Sequence, residues 1–121
     1  MPIPVTIADD SLLSRKNVRK AIPEELQPEI TEACNGAEAV AAVAAGKAEI
    51  LFLDLTMPIK DGFEVLAELQ QMHAKTIVIV ISADIQPLAV ERVYQLGAFK
   101  FLQKPLNPEQ LRSALSEVGL L

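Results

Sequence analysis

Short apolar runs alternate along the chain with longer segments that have helical periodicity. The runs cover residues 5–8, about 29–33, 50–53, 76–81 and 99–103. Those at 50–53 and 76–81 show no alternation of apolar and polar residues, which is typical of parallel strands covered on both faces. The helical segments between the runs are long enough to serve as crossovers, so the strands are expected to pair in parallel with right-handed connections.

The helical segments are bounded by residues that favour helix ends. Ser11 or Asp10 is available as the N-cap of a helix over 12–22, and further helices are predicted over 37–45, 62–72, 87–96 and from Pro108 onward. Five repeats of strand and helix predict an α/β fold, specifically a flavodoxin-like doubly wound (βα)5 sandwich. Its five-stranded parallel sheet is expected in the order 2-1-3-4-5.

Length and charge limit the classes of protein to consider. The 121 residues fit one domain spanning residues 1–121. The net charge of −5 argues against nonspecific nucleic-acid binding, and no run approaches the ~20 apolar residues of a membrane span. The single cysteine, Cys34, cannot form an internal disulfide, and the amino terminus has no signal-peptide pattern. We therefore expect a cytoplasmic protein with no direct nucleic-acid or membrane partner.

All five aspartates fall just past the predicted carboxyl ends of strands, the edge at which open α/β sheets bind ligands. Turn and helix-cap preferences explain Asp61 and Asp84. They explain Asp9, Asp10 and Asp54 poorly, and in the predicted strand order these three carboxylates converge. Their mutual repulsion calls for a hard divalent cation such as Mg²⁺.

Two further side chains reach the same edge and point to phosphoryl chemistry. Ser82 ends the fourth strand with a hydroxyl, and Lys104 follows the fifth with an ammonium group. Carboxylates, a hydroxyl and a lysine together suit phosphoryl transfer, in which positioning and charge neutralisation dominate. Asp54 follows a central apolar strand, and an ionised carboxylate needs no general base, so Asp54 is the candidate acceptor.

With these motifs in this order, essentially the whole chain resembles the receiver domains of two-component response regulators. That family includes the single-domain chemotaxis regulators. The resemblance rests on Asp9-Asp10, Asp54-Leu55-Thr56-Met57-Pro58 with Asp61-Gly62, Ser82-Ala83, and Gly97-Ala98 followed by Lys104-Pro105.

The resemblance implies a role for each site residue. Asp54 would be phosphorylated. Mg²⁺, with Mn²⁺ as a substitute, would be bound by Asp10, Asp54 and the backbone carbonyl of Thr56, with Asp9 acting through a water. Ser82 and Lys104 would bind the phosphoryl oxygens, Phe101 would be the switch aromatic, and the Lys104–Pro105 bond would be cis.

Three positions depart from the commonest family pattern. Thr56 stands where Asn is frequent, and Ser82 replaces the more frequent Thr. Phe101 stands where Tyr is common, so the switch ring has no hydroxyl. These changes keep the residues needed for phosphorylation, and they bear on the lifetime of the phosphorylated state and on the partner that recognises it.

The function implied is a phosphorylation-activated switch, not an enzyme acting on other substrates. It would receive its phosphoryl group from a sensor histidine kinase or a phosphotransfer protein and catalyse only its own phosphorylation and slow dephosphorylation. A downstream protein or linked output domain would bind the face of helix 4, strand 5 and helix 5, and the chain would be a monomer or weak dimer. The apolar tail at 118–121 raises the alternative that this is the receiver part of a longer regulator.

Other functions fit the sequence less well. An aspartyl-phosphate phosphohydrolase usually has an acid two residues after the nucleophile, where this chain has Thr56. A flavin carrier on the same fold would need a phosphate cradle where Asp9 and Asp10 would repel a phosphate. A degenerate receiver used only for docking would not need the complete acidic set with Ser82 and Lys104.

Several side chains receive simpler interpretations. Phe52, Phe63 and Phe99 are expected in the core, and Cys34 is expected to be half-buried. His73 is expected on the surface at the end of helix 3. The basic cluster of helix 1, at residues 15, 16, 19 and 20, is either a solvated face or a docking surface for the phosphodonor. For Tyr94 the sequence does not distinguish a surface position from an interface position.

Overall fold

Five parallel strands form a single sheet in the order 2-1-3-4-5 in the computed structural model, which describes residues 2–121. The strands are β1 (Ile3–Ala8), β2 (Pro28–Ala33), β3 (Ile50–Leu53), β4 (Ile77–Ser82) and β5 (Lys100–Gln103). The α-helices are α1 (Leu12–Ala21), α2 (Gly36–Ala44), α3 (Gly62–Gln71), α4 (Pro87–Gln95) and α5 (Pro108–Val118), and a 3₁₀ turn covers Glu24–Leu26. The predicted fold class and strand order are confirmed.

Helices cover both faces of the sheet, which explains the uniformly apolar central strands. On one face Leu51 and Leu53 of β3 pack in a core layer with buried residues of α2, α3 and α4. On the other face Ile50 and Phe52 pack with buried residues of α1 and α5. Successive side chains of a strand point to opposite faces. A strand buried on both faces therefore needs an apolar residue at every position.

The helix ends follow capping chemistry. The Ser11 side chain accepts the Ser14 N–H, so Ser11, and not Asp10, is the N-cap of α1. Asp61 caps α3 in a reciprocal capping box with Glu64, as its turn-and-cap interpretation predicts. Because Ser11 caps α1, the capping preference of aspartate does not explain Asp10 at this edge of the sheet.

Two predictions about burial are wrong. Phe99 is 42% exposed, because β5 begins at Lys100 and leaves Phe99 in the loop before it. Cys34 is exposed in the turn before α2. The expected core position of Phe52 and surface position of His73 are confirmed, and Phe63 is partly buried against the core.

A close backbone approach fixes the loop between β3 and α3. A Cβ atom on Gly62 would lie 2.6 Å from the carbonyl oxygen of Asp54 and 2.8 Å from Leu55 Cα. Gly36 at the start of α2 lies just as tightly against the backbone of Lys60. Glycine at position 62 therefore lets the loop pack against Asp54 and Leu55, and glycine at position 36 lets α2 pack against Lys60 of the same loop. Within residues 2–121, no helix has the length and apolar character to cross a membrane.

Candidate functional site

Three carboxylates meet at the carboxyl edge of the sheet, where β1 and β3 are neighbours. Ala8 and Leu53 are in register, and the Asp54 N–H donates to the Ala8 carbonyl at 2.9 Å. One oxygen from each of Asp9, Asp10 and Asp54 lies within 4.8 Å of the others. Asp9 is 4% exposed and Asp54 7% exposed, whereas Asp10 is open to solvent. The convergence expected from the sequence is therefore present.

Lys104 supplies the positive charge of this cluster. Its Nζ lies 2.9 Å from Asp9 Oδ2 and 3.5 Å from Asp54 Oδ1, and it donates to Ser14 Oγ at 3.3 Å. Burial alone would lower the pKa of Lys104, but the hydrogen bond to Asp9 and the charges of Asp54 and Asp9 together raise it. The Lys104–Pro105 peptide bond is cis, as the resemblance implies.

The three carboxylates are not equivalent. Burial, with the nearby charge of Asp9 as the next cause, raises the pKa of Asp54 above its usual value. Asp9 is held in place, because its Oδ1 accepts the Ser11 N–H at 2.9 Å and its Oδ2 accepts Lys104. Asp54 is thus a buried carboxylate whose charge is poorly compensated, and Asp9 has both oxygens engaged.

Arg15 also supports the first loop. Its Nη1 donates to the Asp9 carbonyl oxygen at 2.7 Å, and its Nε donates to Glu32 on β2 at 2.8 Å. The Arg15 side chain is 11% exposed, so this member of the basic cluster does not lie on a solvated face. The contacts of Ser14 and Arg15 were not foreseen, because the sequence does not show which α1 side chains turn back toward the acidic loop.

The remaining predicted site residues lie around this cluster. Ser82 ends β4, next to β3, and its buried hydroxyl oxygen accepts the Asp84 N–H at 3.1 Å. Thr56 is exposed in the loop after Asp54. Phe101 lies on the outer strand β5, partly buried against the core layer beneath α4. Ser82 and Phe101 therefore lie on neighbouring strands of the sheet.

Residues 5–116 match the family described as the response regulator receiver domain. The chain belongs to this family. The chemotaxis protein CheY of Thermotoga maritima is 32% identical over 115 residues, which cover 95% of this chain and 96% of that protein. The transcriptional regulatory protein BtsR of Escherichia coli (strain K12) is 32% identical over 117 residues, 96% of this chain. This chain spans 48% of BtsR.

Solved receiver structures are similar over nearly the whole chain. The receiver domain of a response regulator NarL from Mycobacterium tuberculosis has a TM-score of 0.85 and 30% identity, covering 94% of this chain and 93% of that one. CheY in the CheX–CheY–BeF₃–Mg²⁺ complex from Borrelia burgdorferi has a TM-score of 0.86 and 29% identity, with coverage of 95% and 87%. The resemblance to receiver domains is confirmed.

The loop after Asp54 contains a strained residue in this receiver. Ile59 has a φ of 71°, and the Lys60 N–H donates to the Pro58 carbonyl at 2.8 Å across it. A three-residue turn with positive φ at its centre is rare, and it is unfavourable for a β-branched side chain. The Ile59 side chain is 74% exposed, so burial does not offset this strain.

We expect Ile59→Gly to raise the free energy of unfolding by about 1 kcal/mol, because relief of the strained φ exceeds the added entropy of the unfolded chain. Chemical denaturation of both proteins measures the change. Ile85→Gly is the matched control, since Ile85 is also exposed but is not among the residues with positive φ. A loss of stability in Ile59→Gly would show that the Ile59 side chain makes a favourable contact that outweighs the strain.

Proposed function

We propose that this receiver is a phosphorylation-activated switch of a two-component phosphorelay, with Asp54 as the acceptor. The observation that carries the proposal is the buried position of Asp54 between two further carboxylates and the Lys104 ammonium group. A carboxylate so placed is a nucleophile, and Lys104 together with a bound divalent cation would offset the negative charge of an incoming phosphoryl group. The donor would be a phosphohistidine on a sensor histidine kinase or a phosphotransfer protein.

In the transfer, an Asp54 carboxylate oxygen attacks phosphorus and forms an acyl phosphate. The phosphorus–nitrogen bond of the donor breaks, and the imidazole, which carries a proton on its other nitrogen, leaves as a neutral group. Asp54 needs no general base because it reacts as the carboxylate. Lys104, 3.5 Å from Asp54 Oδ1, is within reach of the incoming phosphoryl oxygens.

The donor set fits Mg²⁺, a hard cation that takes a few carboxylates and keeps several waters. Asp10 and Asp54 would bind the ion directly with the Thr56 carbonyl, and Asp9, whose oxygens already hold Ser11 and Lys104, would act through a water. Mn²⁺ has the same ligand preference and would substitute. When bound, the ion neutralises the charge of the carboxylates and of the phosphoryl oxygens.

Ser82 and Phe101 would convert phosphorylation into a change of surface. The Ser82 hydroxyl would turn from the Asp84 N–H to the phosphoryl group, and Phe101 would fill the space vacated near β5. The groove lined by Ile85, Val90 and Phe101 lies on the α4–β5–α5 face, which we assign to the downstream protein or output domain. Turnover of other substrates is not expected, because Thr56 offers no acid or base.

The surface near the acceptor suits a protein donor. Leu12 and Leu13 of α1 are exposed just after Asp10, and Ile59 is exposed in the loop after Asp54. A kinase or phosphotransfer protein that approaches Asp54 would cover these apolar side chains. Because the relative BtsR is about twice as long as this chain, a linked output domain remains the alternative to a separate downstream protein.

Metal removal tests the proposal. With acetyl phosphate and Mg²⁺ the intact mass should increase by one phosphoryl group, and EDTA should abolish the increase. Asp10→Ala should reduce the rate of uptake at least about 100-fold, the effect of losing a metal ligand or its support. It should also raise the melting temperature of the metal-free protein, because it relieves repulsion among the carboxylates.

Asp84→Ala is the matched control, since Asp84 follows β4 but lies outside the carboxylate cluster. Its uptake should stay close to that of the wild type. Full uptake by the wild type in EDTA would contradict the assigned metal role. Equal losses in Asp10→Ala and Asp84→Ala would implicate the overall charge of the edge and not this cluster.

A further inference from the structure

Helix α4 is held loosely at its start and firmly at its end. The N-cap residue Gln86 makes no side-chain cap hydrogen bond, and Leu88 in the first turn is 79% exposed. Val93, near the end, is the buried residue of this helix. Segments with few buried contacts shift or open at low free energy. The first turn of α4 is therefore the part that most readily moves, and the last turn is its anchor.

Two polar side chains tie this last part of α4 to neighbouring elements. The guanidinium of Arg92 lies over the ring of Phe63 on α3, 4.3 Å from its centroid. The hydroxyl of Tyr94 accepts a hydrogen bond from the backbone N–H of Phe101 at 2.9 Å. Since β5 pairs with β4 on one side only, this N–H lies at the open edge of the sheet. Tyr94 thus joins α4 to the backbone of the residue that we assign as the switch aromatic.

We propose that Tyr94 is a positioning residue of the switch, whose hydroxyl carries a shift of α4 to the backbone of β5 at Phe101. This inference rests on the proposed function. Ser82 Oγ accepts the Asp84 N–H, so a rotation that moves this oxygen toward a phosphoryl group would stretch that hydrogen bond and loosen the segment that leads into α4. The Tyr94–Phe101 bond then moves the strand with the helix. Phe101 lacks a hydroxyl of its own, and Tyr94 supplies one from the helix side.

The hydroxyl makes a single neutral hydrogen bond, so its removal is a small and specific change. An ordinary hydrogen bond of this kind corresponds to about a fivefold change in an equilibrium constant. Tyr94→Phe removes the hydroxyl and keeps the ring. Arg92→Gln is the matched control, because it loosens the same part of α4 on the side of α3 and leaves the bond to β5 in place.

The experiment compares backbone amide NMR spectra of the wild type, Tyr94→Phe and Arg92→Gln before and after phosphorylation by acetyl phosphate with Mg²⁺, and checks the phosphoryl group by intact mass. In Tyr94→Phe, the amides of residues 84–90 should shift as in the wild type, while the shifts at 101–103 should largely disappear. Arg92→Gln should retain both sets. Amide hydrogen exchange at Phe101 in the unphosphorylated Tyr94→Phe protein should be about fivefold faster.

Full wild-type shifts at 101–103 in phosphorylated Tyr94→Phe would overturn the inference. Loss of the shifts at residues 84–90 in the same variant would also overturn the inference. The Tyr94 hydroxyl would then stabilise the whole α4–β5–α5 face, and it would not specifically transmit a shift of α4 to β5. If the wild type gains no phosphoryl mass, the proposed function fails. Amide hydrogen exchange in the unphosphorylated proteins then tests the Tyr94–Phe101 hydrogen bond on its own. An exchange rate at Phe101 that is the same in Tyr94→Phe and the wild type would show that this bond does not link α4 to β5.

Discussion

Asp54→Asn will take up no phosphoryl group from acetyl phosphate with Mg²⁺, whereas the wild type will gain one. The substitution keeps the shape of the side chain and replaces the nucleophilic carboxylate oxygen by an amide. Asp9 cannot take over, because its two carboxylate oxygens are engaged by the Ser11 N–H and by Lys104. Asp10 is exposed and lies outside the buried part of the cluster. Intact mass after incubation measures the loss.

The same variant should be more stable than the wild type, which separates loss of chemistry from loss of fold. The pKa of Asp54 is raised by burial and then by the charge of Asp9, so folding disfavours its ionised form. The unfolded chain ionises first as the pH rises past the ordinary carboxyl value. The free energy of unfolding therefore falls as the pH rises through the raised pKa of Asp54. At neutral pH the ionised Asp54 thus lowers the stability of the wild type.

An uncharged Asn removes this unfavourable contribution. Chemical denaturation of the metal-free proteins at pH 7 should give the higher free energy of unfolding for Asp54→Asn. At a pH low enough to protonate Asp54 in the wild type, the difference should shrink. Undiminished phosphoryl uptake by a folded Asp54→Asn would sink the assignment of the acceptor.

The second large effect is expected when the contacts to the phosphoryl group are removed. Phosphorylated Ser82→Ala and Lys104→Ala should carry the phosphoryl group yet show little of the wild-type shift in amide NMR signals on the α4–β5–α5 face. The phosphoryl group carries nearly two negative charges in place of the single charge of the carboxylate, and a hydrogen bond to a charged group contributes about 2 kcal/mol. A ligand shifts an equilibrium only through such differential contacts, so each loss should weaken the active arrangement roughly 30-fold.

Lys100→Ala is the matched control for Lys104→Ala. Lys100 begins the strand that Lys104 follows, but it pairs with Glu117 of α5 and not with the carboxylate cluster. Its phosphorylated form should shift like the wild type. If phosphorylated Ser82→Ala and Lys104→Ala both show the full wild-type shift, the coupling route is wrong even where Asp54 remains the acceptor.

The fold could be predicted because the central strands are unambiguous. A run such as Ile50–Leu53, apolar at every position, fits a strand buried on both faces, and the structure places its residues alternately in the two core layers. The ends of elements are harder to predict. The sequence predicts a fifth strand that begins at Phe99, with Phe99 in the core, but β5 starts one residue later and leaves this residue exposed.

The convergence of the carboxylates could be predicted because strand order alone brings Asp9, Asp10 and Asp54 to one edge. The contacts that hold them could not. Whether Arg15 turns inward to the Asp9 carbonyl depends on the rotation of α1, and the Tyr94–Phe101 bond depends on how α4 lies over β5. Helical spacing predicts which residues share a face of a helix, but it does not predict the distances between those residues and neighbouring elements. The strained φ of Ile59 likewise has no sequence signal, because β-branched residues rarely adopt it.

Asp54, and not a neighbouring carboxylate, is the residue that we propose as the phosphoryl acceptor. Reduction of the phosphorylated protein with borohydride converts an acyl phosphate side chain of aspartate to homoserine, and peptide mass spectrometry then locates the modified residue. We expect homoserine at position 54 and unmodified aspartate at positions 9 and 10. Homoserine at position 9 or 10, or phosphorylated protein in which position 54 stays aspartate after reduction, would contradict this assignment.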